Sequence, residues 1–133
     1  GRGRVLNVAS TAAFQPGPFF AVYYATKAYL LSLSEAVAEE LAGTGVTVTT
    51  LCPGPTATGF ARRARMVSSR LFAGATMDAA AVARAGYEGT MRGERLVIPG
   101  AGNRLLAQAV RLAPRGLVTR VGRRLNQDRS APP

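Results

Sequence analysis

The stretch "AVYYATKAYL" places two adjacent tyrosines beside the only lysine of the chain, whose other 16 cationic side chains are all arginine. Tyr23 and Lys27 are four residues apart, so on a helix they share a face, whereas Tyr24 is rotated away by about 100°. A phenol exchanges protons near neutral pH if a positive charge stabilises its ionised form, and an ammonium about 4 Å away supplies on the order of 4 kcal/mol. The spacing therefore has two interpretations. Lys27 assists Tyr23 in acid/base chemistry, or both side chains merely pack on a helix surface.

The composition excludes several other chemistries. The 133 residues contain no histidine, so a Ser/His/Asp triad and a His-ligated metal site are excluded, and we predict no metal. The single cysteine, Cys52, lies in an apolar run and is predicted to be a small core residue. Proline, glycine and polar residues interrupt the uncharged stretches, so no membrane span is predicted and a cytoplasmic location is expected. The chain opens without Met on a strand-like run, and we expect it to be the carboxyl-terminal part of a longer protein.

The order of the predicted elements is strand, helix, strand. "RVLNVAS" is typical of a strand buried on both faces, a helix is predicted over residues 21–42, and "VTVTTLC" predicts a second strand. A βαβ unit of this kind has parallel strands. Further along, a helix is predicted over residues 77–91, and "RLVIPG" predicts another short strand.

Polar residues follow both predicted strands at the edge where parallel sheets bind ligands. Ser10 follows the first strand, and its hydroxyl could bind a substrate carbonyl oxygen beside Tyr23 or satisfy the backbone at the strand end. The second strand leads into a segment that could approach a ligand or form an ordinary turn, and its candidate residues are Pro53, Gly54, Thr56 and Thr58.

Three motifs in this order, "NVAS", "YYATK" and "PGPTATGF", closely resemble the carboxyl-terminal half of the short-chain dehydrogenase/reductase family over about residues 3 to 100. The resemblance implies an α/β fold with a Rossmann-type doubly wound parallel sheet, of which only the carboxyl-terminal half is present. It also implies hydride transfer between a nicotinamide cofactor and a carbonyl or secondary alcohol. By position, Ser10 would orient the substrate oxygen and Tyr23 would be the acid/base. Lys27 would stabilise the ionised tyrosine and hold the nicotinamide ribose.

The resemblance further implies which residues contact the cofactor: Tyr23, Lys27, Pro53, Gly54, Thr56 and Thr58. The family's Gly-rich phosphate loop, its catalytic-site asparagine and the residue that selects NADP or NAD lie upstream of these motifs. The cofactor is therefore expected to be NADP or NAD, with NADP slightly favoured. The expected partner is a small, apolar carbonyl or alcohol substrate, for which Phe14, Phe19 and Phe20 could form a wall or merely pack. A homo-oligomer is left open.

The last third of the chain is strongly basic. Seven arginines and one aspartate follow Gly100, so this part carries +6 of the net charge of +10. We expect residues 1–100 to form the dehydrogenase portion, and residues 101–133 to form a tail of two amphipathic helices, split at Pro114, with a disordered end.

An alternative function rests on this tail. Apolar residues at helical spacing, with arginines between them, are typical of a helix that binds a membrane surface; they are Leu117, Val118, Val121 and Leu125. The chain could then be a non-catalytic fragment whose tail contacts a membrane surface weakly or a partner protein, and the protein could be peripheral to the membrane. The tail could instead cover the domain itself or a neighbouring subunit. No aromatic residues interleave the arginines, so nucleic acid is not an expected partner.

Overall fold

The computed structural model describes residues 1–65 and 68–127. The strands are β1 (Gly3–Val8), β2 (Val46–Leu51) and β3 (Leu96–Val97). The helices are α1 (Ala21–Glu40), the short α2 (Phe60–Arg63), α3 (Ala79–Arg92), α4 (Ala101–Leu112) and α5 (Arg115–Asn126), with 3-10 turns at Thr11–Phe14 and Arg70–Phe72. Each predicted strand and helix is present close to its expected position.

The three strands form one parallel sheet in the order β1–β2–β3. β1 pairs with β2 from Gly3 opposite Val46 to Val8 opposite Leu51, and β3 pairs with the end of β2. Parallel neighbours need a crossover, and α1 and α3 provide the two crossovers. This arrangement is half of a Rossmann-type sheet and confirms the predicted α/β fold class.

The core lies on both faces of this sheet, because consecutive strand residues point to opposite sides. On one face, Leu31 of α1 packs with Ala9 and Cys52. On the other face, Val82 of α3 packs with Leu51. The two crossover helices therefore cover opposite faces, as a doubly wound sheet requires.

Local signals in the sequence set the ends of these helices. α3 begins where the Asp78 carboxylate accepts a hydrogen bond from the Ala81 amide at 2.9 Å, and it ends at Gly93, whose φ of 70° is the left-handed conformation that favours glycine. The turn after α1 uses Gly43 and Gly45, at φ of 80° and 82°, in the same left-handed region.

The burial predicted for the first strand is wrong. Three apolar side chains of β1 are exposed: Val5 at 43%, Leu6 at 38% and Val8 at 51%. Within the described residues β1 is an edge strand, with β2 on one side only, and its side chains are less covered than those of β2. Apolar residues predict a strand, but they do not show which other elements of the fold cover its side chains.

The basic tail is helical on both sides of Pro114, as predicted, and it packs on the rest of the chain through a stripe on each helix. Ala107 of α4 is buried, and so are Val118, Gly122 and Asn126 of α5. The expected disordered end, residues 128–133, lies outside the described residues, and the division at residue 100 stays a prediction. Within residues 1–65 and 68–127, no helix is both long and apolar enough to cross a membrane.

Close packing between α3 and β3 yields a prediction on stability. A Cβ added at Gly89 would overlap the stiff side chain of Val97, whereas a Cβ at Gly102 in α4 would meet no described atom within 4 Å. We expect Gly89→Ala to lower the free energy of unfolding by about 1–2 kcal/mol, because overpacking outweighs the gain in helix propensity. The control Gly102→Ala should raise it by up to about 1 kcal/mol. Urea denaturation of the full-length protein measures both changes, and a stabilising Gly89→Ala would contradict the packing.

Candidate active site

A cleft of about 730 Å³ lies at the carboxyl ends of β1 and β2. The parallel register puts Val8 beside Leu51, and the chain segments that follow stay paired, because the Thr11 amide donates to the Pro53 carbonyl at 2.9 Å. All seven residues singled out from the sequence line this cleft: Ser10, Tyr23, Lys27, Pro53, Gly54, Thr56 and Thr58. The structure therefore brings these residues together, while the role of each one stays a prediction.

Ser10 lies directly beyond the end of β1, where it caps the following 3-10 turn. Its Oγ accepts a hydrogen bond from the Ala12 amide at 3.1 Å and donates to the Pro53 carbonyl oxygen at 3.5 Å. The second distance is long for an O–H donor, so that bond is weak. The hydroxyl thus has a local backbone role and a proton that a ligand oxygen in the cleft could accept.

The two adjacent tyrosines have different environments. Tyr24 is 4% exposed, and its hydroxyl donates to Asn126 Oδ1 at 3.0 Å. Burial raises the pKa of Tyr24, and the hydrogen bond to Asn126 offsets part of that rise. Tyr23 is half-buried, its ring contacting Tyr24 edge-on at 5.9 Å and Phe60 at 5.3 Å between centroids. The hydroxyl of Tyr24 is therefore committed to a structural contact, which leaves Tyr23 as the candidate for chemistry.

Lys27 bridges α1 and the end of β1. Its Nζ donates to the Val8 carbonyl oxygen at 2.9 Å and lies 5.7 Å from the centroid of the Tyr23 ring. Burial lowers the pKa of Lys27, an effect that the nearby Cys52 thiol opposes. An ammonium has three N–H donors, so the bond to Val8 anchors the charge beside Tyr23 while using only one of them.

The segment that follows β2 is held by hydrogen bonds within it and by a close contact with α4. Thr56 donates to the Gly54 carbonyl at 2.9 Å, and the Thr58 hydroxyl accepts from the Phe60 amide at 3.2 Å. A Cβ at Gly54 would lie 2.6 Å from Nδ2 of Asn103. The glycine is therefore required for the close approach of α4 to this loop.

Sequence reasoning missed Asn103, which also lines the cleft. Its Nδ2 donates to the Pro99 carbonyl oxygen at 2.8 Å and contacts the sulfur of Met77 at 3.3 Å. The Gly-rich turn "PGAGN" before α4 was the only local signal for it, and that signal does not specify a site.

Part of the apolar wall of the cleft comes from a segment other than that of Phe14, Phe19 and Phe20, for which the sequence left a wall or simple packing open. The cleft is lined by Phe60, Leu71 and Phe72 of the segment after β2. Phe14 instead packs against the core beside α1, and Phe19 is 61% exposed, so packing and exposure account for these two predicted wall residues. The prediction followed proximity to Ser10 in sequence, whereas the sheet topology brings the later segment over the cleft.

The described residues, 1–65 and 68–127, contain no group of three His, Cys, Asp or Glu side chains placed to hold a metal ion. The candidate groups that line the cleft are the hydroxyl of Ser10, the phenol of Tyr23 and the ammonium of Lys27.

Comparison with known proteins identifies the family. The family model described as short chain dehydrogenase matches residues 1–67, which is half of the chain and contains all seven predicted site residues. The chain belongs to the short-chain dehydrogenase family, as the sequence resemblance predicted.

Individual relatives agree with this assignment. The chain is 50% identical over 54 residues to the uncharacterized oxidoreductase YvrD of Bacillus subtilis, a match that covers 41% of this chain and 20% of that protein. It is 45% identical over 64 residues to the monensin polyketide synthase putative ketoacyl reductase of Streptomyces virginiae, covering 48% and 24% of the two chains. A short chain dehydrogenase from Burkholderia cenocepacia, solved in complex with NADP, superposes with a TM-score of 0.69 at 26% identity, covering 88% of this chain and 46% of that one. The chain thus spans less than half of that solved protein.

The cysteine below the site gives a test of the local packing. Cys52 is fully buried, and burial raises its pKa from 9.0 to about 11, although the Ser10 amide and the charge of Lys27 oppose the rise. The unfolded thiol therefore loses its proton at a lower pH than the folded one. The stability that this difference contributes is present below pH 9 and is lost as the pH rises to about 11.

We expect the free energy of unfolding of the wild type, measured relative to Cys52→Ala, to fall by up to about 3 kcal/mol across that interval. Urea denaturation of both proteins at a series of pH values measures the difference. Parallel curves for the two proteins would show that the thiol is not buried as described.

Proposed function

We propose that this chain carries the acid/base part of an NAD(P)-dependent oxidoreductase that interconverts a carbonyl and a secondary alcohol. The observation that supports it most is the placement of Tyr23 and Lys27 with Ser10 in one cleft at the carboxyl edge of a parallel sheet. The family of the chain makes this chemistry the expected one. The activity of the whole protein needs a cofactor-binding part that these 133 residues do not include.

The proposed chemistry moves one proton at the substrate oxygen. In the reducing direction, the Tyr23 hydroxyl donates its proton to the carbonyl oxygen, and Ser10 donates a hydrogen bond to the same atom. In the oxidising direction, ionised Tyr23 accepts the alcohol proton. A bound nicotinamide supplies or takes up the hydride at the substrate carbon.

Lys27 would supply the positive charge beside the reacting phenol, since its Nζ lies 5.7 Å from the centroid of the Tyr23 ring. Because the Val8 carbonyl holds the ammonium in place, the charge is already positioned before the proton moves. Arginine at this position would present a planar guanidinium with a different geometry and could not make the same compact contact.

The residues present fit the nicotinamide end of the cofactor. The loop after β2 offers the hydroxyls of Thr56 and Thr58 and the close backbone approach at Gly54, beside Lys27. We propose that Tyr23, Lys27, Pro53, Gly54, Thr56 and Thr58 hold that end. The cofactor is NADP or NAD; NADP is slightly favoured, in line with the NADP complex of the Burkholderia cenocepacia relative.

The walls of the cleft suggest a small substrate with an apolar body. Phe60, Leu71 and Phe72 supply apolar surface in the cleft that Ser10, Tyr23 and Lys27 also line. A substrate with a carbonyl group and an apolar body fits a cleft with both kinds of lining. The relative from Streptomyces virginiae is named as a putative ketoacyl reductase. A cytoplasmic location and a homo-oligomer stay predictions.

Removal of the Tyr23 hydroxyl tests the proposed function. In the full-length protein, Tyr23→Phe should lower NAD(P)H-dependent carbonyl reduction by at least about 100-fold, the usual order for general acid/base catalysis, while cofactor binding persists. The matched control is Tyr29→Phe on the same helix, where the side chain is 68% exposed; it should retain full activity. Turnover measured by cofactor absorbance and cofactor affinity measured by fluorescence give both quantities. Undiminished turnover in Tyr23→Phe would contradict the assignment.

A second candidate function, contact with a membrane surface, is supported by the outer face of α4. Leu105 and Leu112 are 73% and 90% exposed, lie seven residues apart opposite the buried Ala107, and are accompanied by Arg104 and Arg111. A surface that joins exposed leucines to arginines fits an interface with anionic lipid.

We place this candidate surface on α4 and not on α5, where the sequence pattern predicted it. The apolar set predicted on α5 is partly used within the fold, because Val118 is 7% exposed and Leu125 lines the cleft. The tail therefore covers the domain through α5, which was one of the alternatives. Among the described residues of these two helices, the most exposed leucines are Leu105 and Leu112 of α4.

Vesicle binding tests this second function. We expect the double variant Leu105→Ser and Leu112→Ser to bind phosphatidylserine-containing vesicles at least about tenfold more weakly than wild type, because each buried leucine is worth about 1.5–3 kcal/mol. Val22→Ser on α1 is the control, since Val22 is 77% exposed but lies outside the tail. Co-sedimentation at low salt, with phosphatidylcholine vesicles for comparison, measures the binding. Equal pelleting of wild type and double variant would reject the membrane contact.

A further inference from the structure

Asn126, the last residue of α5, uses both ends of its side-chain amide inside the fold. The residue is 2% exposed. Its Nδ2 donates to the Pro18 carbonyl oxygen at 3.1 Å, and its Oδ1 accepts the hydrogen bond from the Tyr24 hydroxyl at 3.0 Å. These contacts join residues 102 and 108 positions apart. The Asn126 side chain therefore connects the end of α5 to the loop before α1 and to the first turn of α1.

Two further contacts of α5 hold the same loop, residues 16–19. A Cβ at Gly122, one turn before Asn126, would lie 3.0 Å from the Pro16 carbonyl oxygen, so the helix approaches this loop as closely as a glycine allows. The Arg123 guanidinium lies 5.9 Å from the centroid of the Phe19 ring. Phe19 has a φ of 72°, which is unusual for a side chain with a Cβ and persists only when the surroundings hold it. α5 supplies those surroundings.

This loop leads directly into the turn of α1 that carries Tyr23. Within the described residues, no side chain caps the amino end of α1 at Phe20, so a capping residue does not fix the first turn. Tyr24 fixes it instead, because its ring packs against Gly17, its hydroxyl is held by Asn126, and its edge contacts the Tyr23 ring. The orientation of Tyr23 towards Ser10 and Lys27 therefore depends on how its neighbour is anchored.

We propose that Asn126 is a positioning residue that acts through Tyr24 to hold Tyr23 in its reactive orientation, an inference that rests on the proposed function. An asparagine suits both contacts, because the Pro18 carbonyl needs a donor and the Tyr24 hydroxyl needs an acceptor. An aspartate would offer acceptors only and would face the Pro18 carbonyl with a carboxylate. The basic tail thus contributes to the active site from outside the motifs that define it.

Asn126→Leu tests the inference, because leucine has the same branched arrangement of heavy atoms as asparagine but can make neither hydrogen bond. In the full-length protein, at a temperature where the variant is folded, kcat for carbonyl reduction should fall by about tenfold or more, since a displacement near 1 Å can cost on the order of 100-fold. KM for the nicotinamide cofactor should stay unchanged. Tyr24→Phe removes one of the two bonds and should lower kcat less. The double variant should be no worse than Asn126→Leu, because the two side chains act through one contact.

The control is Val118→Ala, which removes buried packing from the same helix but no hydrogen bond. A kcat for Asn126→Leu equal to that of wild type, or an equal loss in Val118→Ala, would overturn the inference. If Asn126→Leu does not fold, Tyr24→Phe carries the test, and an unchanged kcat in that variant overturns it. Failure of the proposed function is distinguishable, because it appears as full activity in Tyr23→Phe.

Discussion

The parallel pairing of β1 with β2 is the constraint on which the site depends. The register that places Val8 beside Leu51 brings Ser10 and Pro53 out of the sheet next to each other. A shift of one residue would turn every side chain of β1 to the opposite face of the sheet. It would also move the Val8 carbonyl, which anchors the ammonium of Lys27. The strands therefore set the position of the charge as well as that of the substrate-facing hydroxyl.

Opposing effects act on the charged form of Lys27. Burial lowers its pKa, while the Val8 carbonyl accepts one of its protons and the thiol of Cys52 lies below it. Lys27 is half-buried and is thereby held beside Tyr23, as the proposed acid/base pair requires.

Local patterns predicted much of this arrangement. The i, i+4 spacing selected Tyr23 over Tyr24, and the structure gives the two rings different environments, with Tyr24 hydrogen-bonded inside the fold. The order of strands and helices predicted the α/β class. Two features followed from contacts that no local pattern encodes: the exposure of β1, which depends on its neighbours in the sheet, and the contact of Asn126 with residues over 100 positions away. A single buried amide has no periodicity, so sequence reasoning assigned α5 by its apolar stripe alone.

The most direct test of the central claim is a crystal structure of the full-length protein with NADP and a secondary alcohol or ketone bound. Proton exchange by Tyr23 requires the ligand oxygen to lie about 2.6–3.2 Å from the Tyr23 hydroxyl. The account predicts that the same oxygen lies within hydrogen-bond distance of Ser10 Oγ, with Lys27 between Tyr23 and the nicotinamide ribose. A ligand oxygen held by other side chains, with Tyr23 pointing away from it, would contradict the account.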